Sequence, residues 1–393
     1  MITIGKDALD ENGRFSRFKL ISWWDQARLG RAKVLVVGAG ALGNEIIKNC
    51  ALAGIGNILV ADMDRVENSN LSRSVLFRGE DSGRFKADVA CESARDIHPG
   101  LRINAWNGNV VYDLGWGAYF WADVVIAGLD NREARLAVNM GSFFARKPWI
   151  DGAIEVLDGV ARVFVPGEGP CYECTMSQTD WKILESRRSC ALLTRSEMEE
   201  GKVPTTPTTA SIIAAIEVQE AIKLLHGMEA LAGRGFAYSG VTGEAHCVVY
   251  PRKPGCYGHD SFTKLEKLGC GVGDMTVGRL LERARCDLGA SAVIGLSRDV
   301  IGTLRCPECG TIGEVYRSLG KVTEDEAACP RCGRIRAPET LLTLGFDDSL
   351  NDRTFGEIGV PYFDVVTARA GDRTVSYLFD GDAGGVLGGL PRE

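Results

Sequence analysis

At 393 residues the chain exceeds the size at which a single hydrophobic core is usual, so at least two domains are expected. A formal net charge of −7 with no run of Lys and Arg excludes a binder of phosphate backbones. Thirteen cysteines in so long a chain, several paired as C-x-x-C, point to zinc in a reducing compartment rather than to a disulfide scaffold.

The first residues, MITIGKDALDENG, carry acids where a secretory signal needs an apolar stretch. No segment approaches the roughly 18 apolar residues of a membrane span, so a cytoplasmic protein with no membrane or nucleic-acid partner is expected. From Lys33 the chain reads as strand (KVLVV), glycine turn, helix to about Ala53, strand (NILVAD) and helix from about Arg84 to His98. A strand at 122–128, a helix from Arg132 to Ala145 and a strand near Trp149–Ile154 continue the alternation, which predicts a parallel sheet covered by helices. Residues 170–206 are polar and irregular and form an excursion that returns through a periodic helix at 210–227. Residues 261–393 read as a separate unit, and its glycine-rich end, GDAGGVLGGLPRE, is expected to be loose.

Gly38, Gly40 and Gly43 lie between a strand and a helix, where backbone N–H groups and a helix N-terminus can approach phosphate oxygens. Asp62 closes the next strand, in position to accept from ribose hydroxyls. Those features alone suit NAD or ATP. The residues that follow separate the two. Asp64, Asn70, Arg73 and Lys86, with Asp130 and Asn131 at a later strand end, supply the cations, amides and carboxylates that a triphosphate and Mg²⁺ need and a dehydrogenase does not.

The ordered segments RFSR (14–17), GAGALG (38–43), DMDRVENSNLSR (62–73), GRFKA (83–87), GLDN (128–131), CYEC (171–174) and PTTPTTASIIAAIEVQEAIKLL (204–225) resemble the ubiquitin-activating enzymes. They are similar also to the bacterial relatives of those enzymes, the ThiF- and MoeB-type adenylyltransferases. The resemblance implies an α/β fold: a Rossmann-like doubly wound adenylation domain over residues 1–260, with a zinc-stapled crossover at about 170–206. A smaller α+β domain over 261–393, faintly resembling the ubiquitin-like domain of the activating enzymes, would carry a zinc ribbon inserted at 303–336. By the same resemblance Asp62 holds the ribose, Asn70, Arg73 and Lys86 hold the phosphates, Asp130 binds Mg²⁺, and Arg17 is supplied across a homodimer interface. Ser74 departs from the glutamine common after the arginine that Arg73 matches.

The cysteines divide by spacing. Cys306, Cys309, Cys329 and Cys332 form C-x2-C-x19-C-x2-C, a zinc-ribbon pattern. Cys171 and Cys174 form another knuckle, which the resemblance pairs with Cys256 and His259, Cys247 being the reserve ligand. Cys50 and Cys91 lie on apolar helix faces and are expected in the core. Cys190 stands alone beside Arg187, Arg188 and Arg195, cations that favour a nucleophilic thiolate. In the activating enzymes the thioester-forming cysteine lies in this crossover.

The reading is ATP-dependent activation of a ubiquitin-like β-grasp protein: adenylation of its C-terminus, transfer to Cys190, then passage to a conjugating enzyme. The alternatives are adenylation alone for a sulfur-carrier protein, an NAD-dependent oxidoreductase, and a catalytically silent scaffold subunit.

Overall fold

The computed structural model describes residues 13–182, 204–345 and 349–392. Eight strands form the first sheet: β1 (Lys33–Val37), β2 (Asn57–Asp62), β3 (Arg102–Asn107), β4 (Val124–Gly128), β5 (Trp149–Glu155), β6 (Asp158–Phe164), β7 (Arg234–Ser239) and β8 (Glu244–Val249). Their order is β3-β2-β1-β4-β5-β6-β7-β8, parallel as far as β5 and antiparallel beyond it. β1 and β2 are nearly continuous apolar runs because helices cover both faces.

Ile46, Ala90 and Ile213 bring the helices Ala41–Ala53, Lys86–Ile97 and Pro207–Leu225 onto one face of this sheet. Tyr119 and Val138 bring the helices Gly117–Trp121 and Arg132–Phe144 onto the other. The helix expected to begin at residue 210 starts at Pro207. Thr206 caps it by accepting from Thr209 N–H at 3.3 Å, and proline fits the first turn because its missing donor would have had no helical partner. β3 and β6–β8 carry shorter or more mixed apolar patterns, which left them undistinguished in the sequence.

A second sheet contains β9 (Leu265–Lys267), β10 (Val293–Arg305), β11 (Ile312–Ser318), β12 (Ala337–Leu344), β13 (Val365–Ala370) and β14 (Arg373–Leu378). The order is β11-β10-β13-β14-β9, with β12 also paired to β10. The first and last strands, β9 and β14, pair in parallel, and the other pairings are antiparallel. The helix Val277–Leu288 packs Leu280, Leu281 and Ala284 into a core with Phe355, Tyr377 and Phe379.

The glycine-rich end is not loose. Ala383, Val386, Leu387 and Leu390 fall at i, i+3, i+4 and i+7, and all four are buried around a helical turn at Gly384–Leu387. They enter the same apolar cluster as Leu114, Trp116 and Trp121 of the first domain, together with Phe363, Val365 and Leu378. Trp121 Nε1 donates to the Pro391 carbonyl at 2.7 Å, and Asn104 Nδ2 to that of Val386 at 3.3 Å. The glycines concealed an amphipathic turn that has the first domain as its partner.

Leu387 is fully buried at this junction. Leu387→Ala is expected to destabilise the C-terminal unit by about 2–5 kcal/mol, read as an earlier urea transition. The exposed Val241→Ala should leave the transition in place.

Candidate active site

The strand order reverses between β1 and β4, and an open α/β sheet presents a crevice at that point, beyond the carboxyl ends of the strands. The two loops that flank it need glycine. Gly38 has φ +93°, and a Cβ there would lie 2.5 Å from the Gly128 carbonyl oxygen. A Cβ on Gly43 would lie 2.0 Å from the Gly38 carbonyl oxygen, so the first helical turn packs directly on its own loop. No side chain caps the helix Ala41–Ala53 at Gly40, leaving its positive end turned toward the crevice.

Asp62, at the end of β2, is wired to this turn. Its Oδ2 accepts from Ala39 N–H at 2.6 Å and its Oδ1 from Asp64 N–H at 2.7 Å. Burial and the neighbouring Asp64 push its pKa up to about 6, against the lowering effect of Lys86. Lys86 opens the next helix and places Nζ 2.7 Å from Asp64 Oδ2. Ala39 of the glycine turn, Asp62, Asp64 and Lys86 are thus joined through contacts at adjoining strand and helix ends.

Asn70 and Arg73 sit on the loop between. Asn70 Oδ1 accepts from Glu67 N–H at 2.9 Å, closing a reciprocal cap around Asn68–Asn70. Arg73 Nη1 donates to the Ser69 carbonyl at 2.7 Å, which orients the guanidinium from the same turn. Across the crevice, Asp130 is exposed beyond β4. Asn131 caps the following helix, its Oδ1 accepting from Ala134 N–H at 2.8 Å. Arg17 stands apart. Its segment packs Phe15 against Gly54 and His98, at the amino ends of β2 and β3, opposite the crevice.

Two supports escaped the sequence reading. Buried Asn44 donates to the Ala39 carbonyl at 2.7 Å and accepts from Leu76 N–H at 2.8 Å, binding the glycine turn to the loop that carries Arg73. Arg135 donates to Asp151 Oδ1 at 2.7 Å and also to the carbonyls of Leu129 and Gly152, fixing the backbone just before Asp130. Arg162 completes the pairing of buried Asp151. A polar residue on an apolar helix face was the available signal in both cases.

Two four-ligand clusters could hold a metal ion, Cys171, Cys174, Cys256 and His259 in one and Cys306, Cys309, Cys329 and Cys332 in the other. Within each, the ligand atoms lie within 4.8 Å of one another. The sulfur separations, 3.8 and 3.6 Å in the first and 3.4 and 3.6 Å in the second, approach the tetrahedral edge of about 3.8 Å set by Zn–S bonds of about 2.3 Å. His259 Nε2 lies 3.2 Å from Cys174 Sγ. Cys247, exposed on β8, belongs to neither cluster. Cys50 and Cys91 are buried, and burial pushes both thiols up to about 12, so neither is a nucleophile. Cys190, Arg187, Arg188 and Arg195 lie outside the described residues.

The raised pKa of Asp62 has a consequence for stability. Its folded value, about 6, exceeds its ordinary 3.8, so the protonated form is favoured by folding. That contribution is complete below about pH 4 and is lost as pH rises through about 6, above which the ionised carboxylate costs on the order of 3 kcal/mol. Asp62→Asn is therefore expected to melt above the unmodified protein at pH 8 and to match it near pH 4, by calorimetry at both values.

Residues 13–258 match the profile of the ThiF family. The chain is 32% identical over 257 residues to the sulfur carrier protein adenylyltransferase of Thermus thermophilus, covering 64% of this chain and 90% of that one. It is 31% identical over 264 residues to the SAMP-activating enzyme E1 of Haloferax volcanii, covering 65% and 91%. Among solved structures, E. coli MccB with ATP aligns at a TM-score of 0.54 over 65% of this chain and 77% of that chain, at 23% identity, a likeness of fold. With the matched region containing both the glycine turn and the Asp130 loop, the chain belongs to the ThiF family of ubiquitin-activating-enzyme-like adenylyltransferases.

Proposed function

We propose that the protein uses ATP to adenylate the C-terminal carboxylate of a small β-grasp protein and then accepts that protein on Cys190 as a thioester for a conjugating enzyme. The observation that carries the first step is the Asp62 carboxylate wired to the glycine turn, with Lys86 and Asp64 beside it. Asp62 holds the ribose, while Asn70, Arg73 and Lys86 neutralise the phosphates. Asp130 would hold Mg²⁺, which supplies charge neutralisation for the leaving pyrophosphate. The carboxylate oxygen attacks the α-phosphorus, the bond to the β-phosphate oxygen breaks, and pyrophosphate departs. The side chains need only position two anions and screen their repulsion. In the second step the Cys190 thiolate attacks the acyl carbonyl and AMP leaves.

Both four-ligand clusters are proposed as structural zinc sites, the first fastening the start of the crossover to the segment after β8. The C-terminal unit is proposed to receive the conjugating enzyme. A second reading, adenylation alone for a sulfur-carrier protein, is favoured by the similarity to the T. thermophilus enzyme over 90% of its length. Arg17 lies at the far end of its own sheet from the crevice, which supports a homodimer in which it serves the partner's nucleotide.

Pyrophosphate exchange into ATP is expected only with the cognate β-grasp protein present, and Asp130→Ala should abolish it. Full exchange without Asp130 would contradict its assignment to Mg²⁺. Cys190→Ala should retain exchange and lose the adduct that a reducing agent cleaves; if the unmodified protein forms no adduct, the adenylation-only reading holds. Mixing Arg17→Ala with Asp130→Ala chains, under conditions of proven subunit exchange, should restore activity above either parent. No gain in the mixture would assign Arg17 to its own chain or to no catalytic role.

A further inference from the structure

The loop from Gly108 to Trp116 leaves the end of β3 and is held from two sides. Toward the crevice, Gly108 N–H donates to the Asp62 carbonyl at 3.2 Å. The Tyr112 hydroxyl donates to Glu133 Oε1 at 2.7 Å, in the first turn of the helix that follows Asp130. From the other side the C-terminal unit takes hold. Arg298 donates from its two terminal nitrogens to the carbonyls of Val111 and Leu114, and its guanidinium lies 4.6 Å from the centroid of the Trp116 ring. Asp364 neutralises Arg298 from 3.6 Å and accepts from Trp116 N–H at 2.9 Å. Lys321, beside the ribbon, pairs with Asp113 at 2.8 Å.

Strand order determines what this loop faces. Phosphates belong at the glycine turn after β1 and the ribose at Asp62 after β2, so the base continues outward over the end of β3. The loop begins there.

We propose, resting on the adenylation reading, that the C-terminal unit builds the base-side wall of the nucleotide site, with Arg298 as the positioning residue that sets it. Arg298 is almost wholly buried and spends two donors on backbone carbonyls of the other domain, so the loop's shape is fixed by residues nearly 200 positions away. The chemistry recognised is the nucleoside half of ATP, shared by AMP, and not the triphosphate.

Binding of ATP and AMP to the full chain should be measured by calorimetry for the unmodified protein, Arg298→Lys, Lys321→Ala and Tyr112→Phe. Arg298→Lys is expected to weaken both nucleotides by the same factor, about tenfold, and the two milder variants by about threefold each. In pyrophosphate exchange the ATP KM should rise while the rate at saturating ATP is kept. Arg73→Ala should instead weaken ATP more than AMP. Lys321→Ala and Tyr112→Phe alter partly exposed contacts and are expected to melt with the unmodified protein, which keeps the test open if Arg298→Lys fails to fold. Unchanged ATP and AMP affinity in both, with the unmodified protein binding normally, would overturn the inference alone. An unmodified protein that binds neither nucleotide would overturn the adenylation reading and this inference with it.

Discussion

The close approach of three backbone segments at the strand-order reversal is the constraint on which the site depends. Gly38 sits against Gly128, and Gly43 against Gly38, at separations that no side chain could share. That contact brings the end of β4, with Asp130 behind it, to the foot of the helix that follows β1. The groups proposed to meet the nucleotide therefore come from what borders the contact: Asp62 on one side, Asp130 on the other, and the loop carrying Arg73 above them.

Polar groups in the interior hold this arrangement in register. Asn44 connects the glycine turn to the Arg73 loop, and Arg135 connects the Asp130 loop to Asp151. Asp151 meets two arginines and is fully buried, an arrangement in which losing either partner leaves an uncompensated charge. On the opposite face of the sheet Glu217 presses on Gly152, where a Cβ would lie 2.4 Å from its Oε2. Burial, reinforced by Asp151, raises the pKa of Glu217 well above the usual carboxylate range. Apolar packing tolerates small slips, whereas directed hydrogen bonds to single carbonyls do not. The support of the crevice is accordingly polar although its surroundings are apolar.

The sequence disclosed what depends on local pattern. The apolar runs of β1 and β2, the glycines between them and the helix, and the cysteine spacing each follow from rules that span a few residues. What escaped it depends on contacts between distant segments. Asn44 reads as an ordinary helical polar residue until Leu76 is seen to donate to it. Asn70 and Asn131, read as groups for the nucleotide, also turn out to shape backbone, one within a cap and the other at a helix start. The final glycine-rich stretch has the composition of a loose end but the periodicity of an amphipathic turn. Its four apolar side chains had helical spacing, and only the face of another domain gives that spacing a use.

That last stretch also bears on the order in which the molecule can be completed during synthesis. The segment Leu114–Trp121 is made long before residues 383–390, which cover it together with Phe363 and Val365. A nascent chain that has finished β8 holds the whole first sheet yet lacks the part of the apolar cover of Trp121 and its neighbours that Ala383, Val386, Leu387 and Leu390 supply. The surface that these four residues cover is exposed until the end of the second sheet's unit has been made and has folded back. The cover of this face is therefore completed only when residues 383–390 have been made.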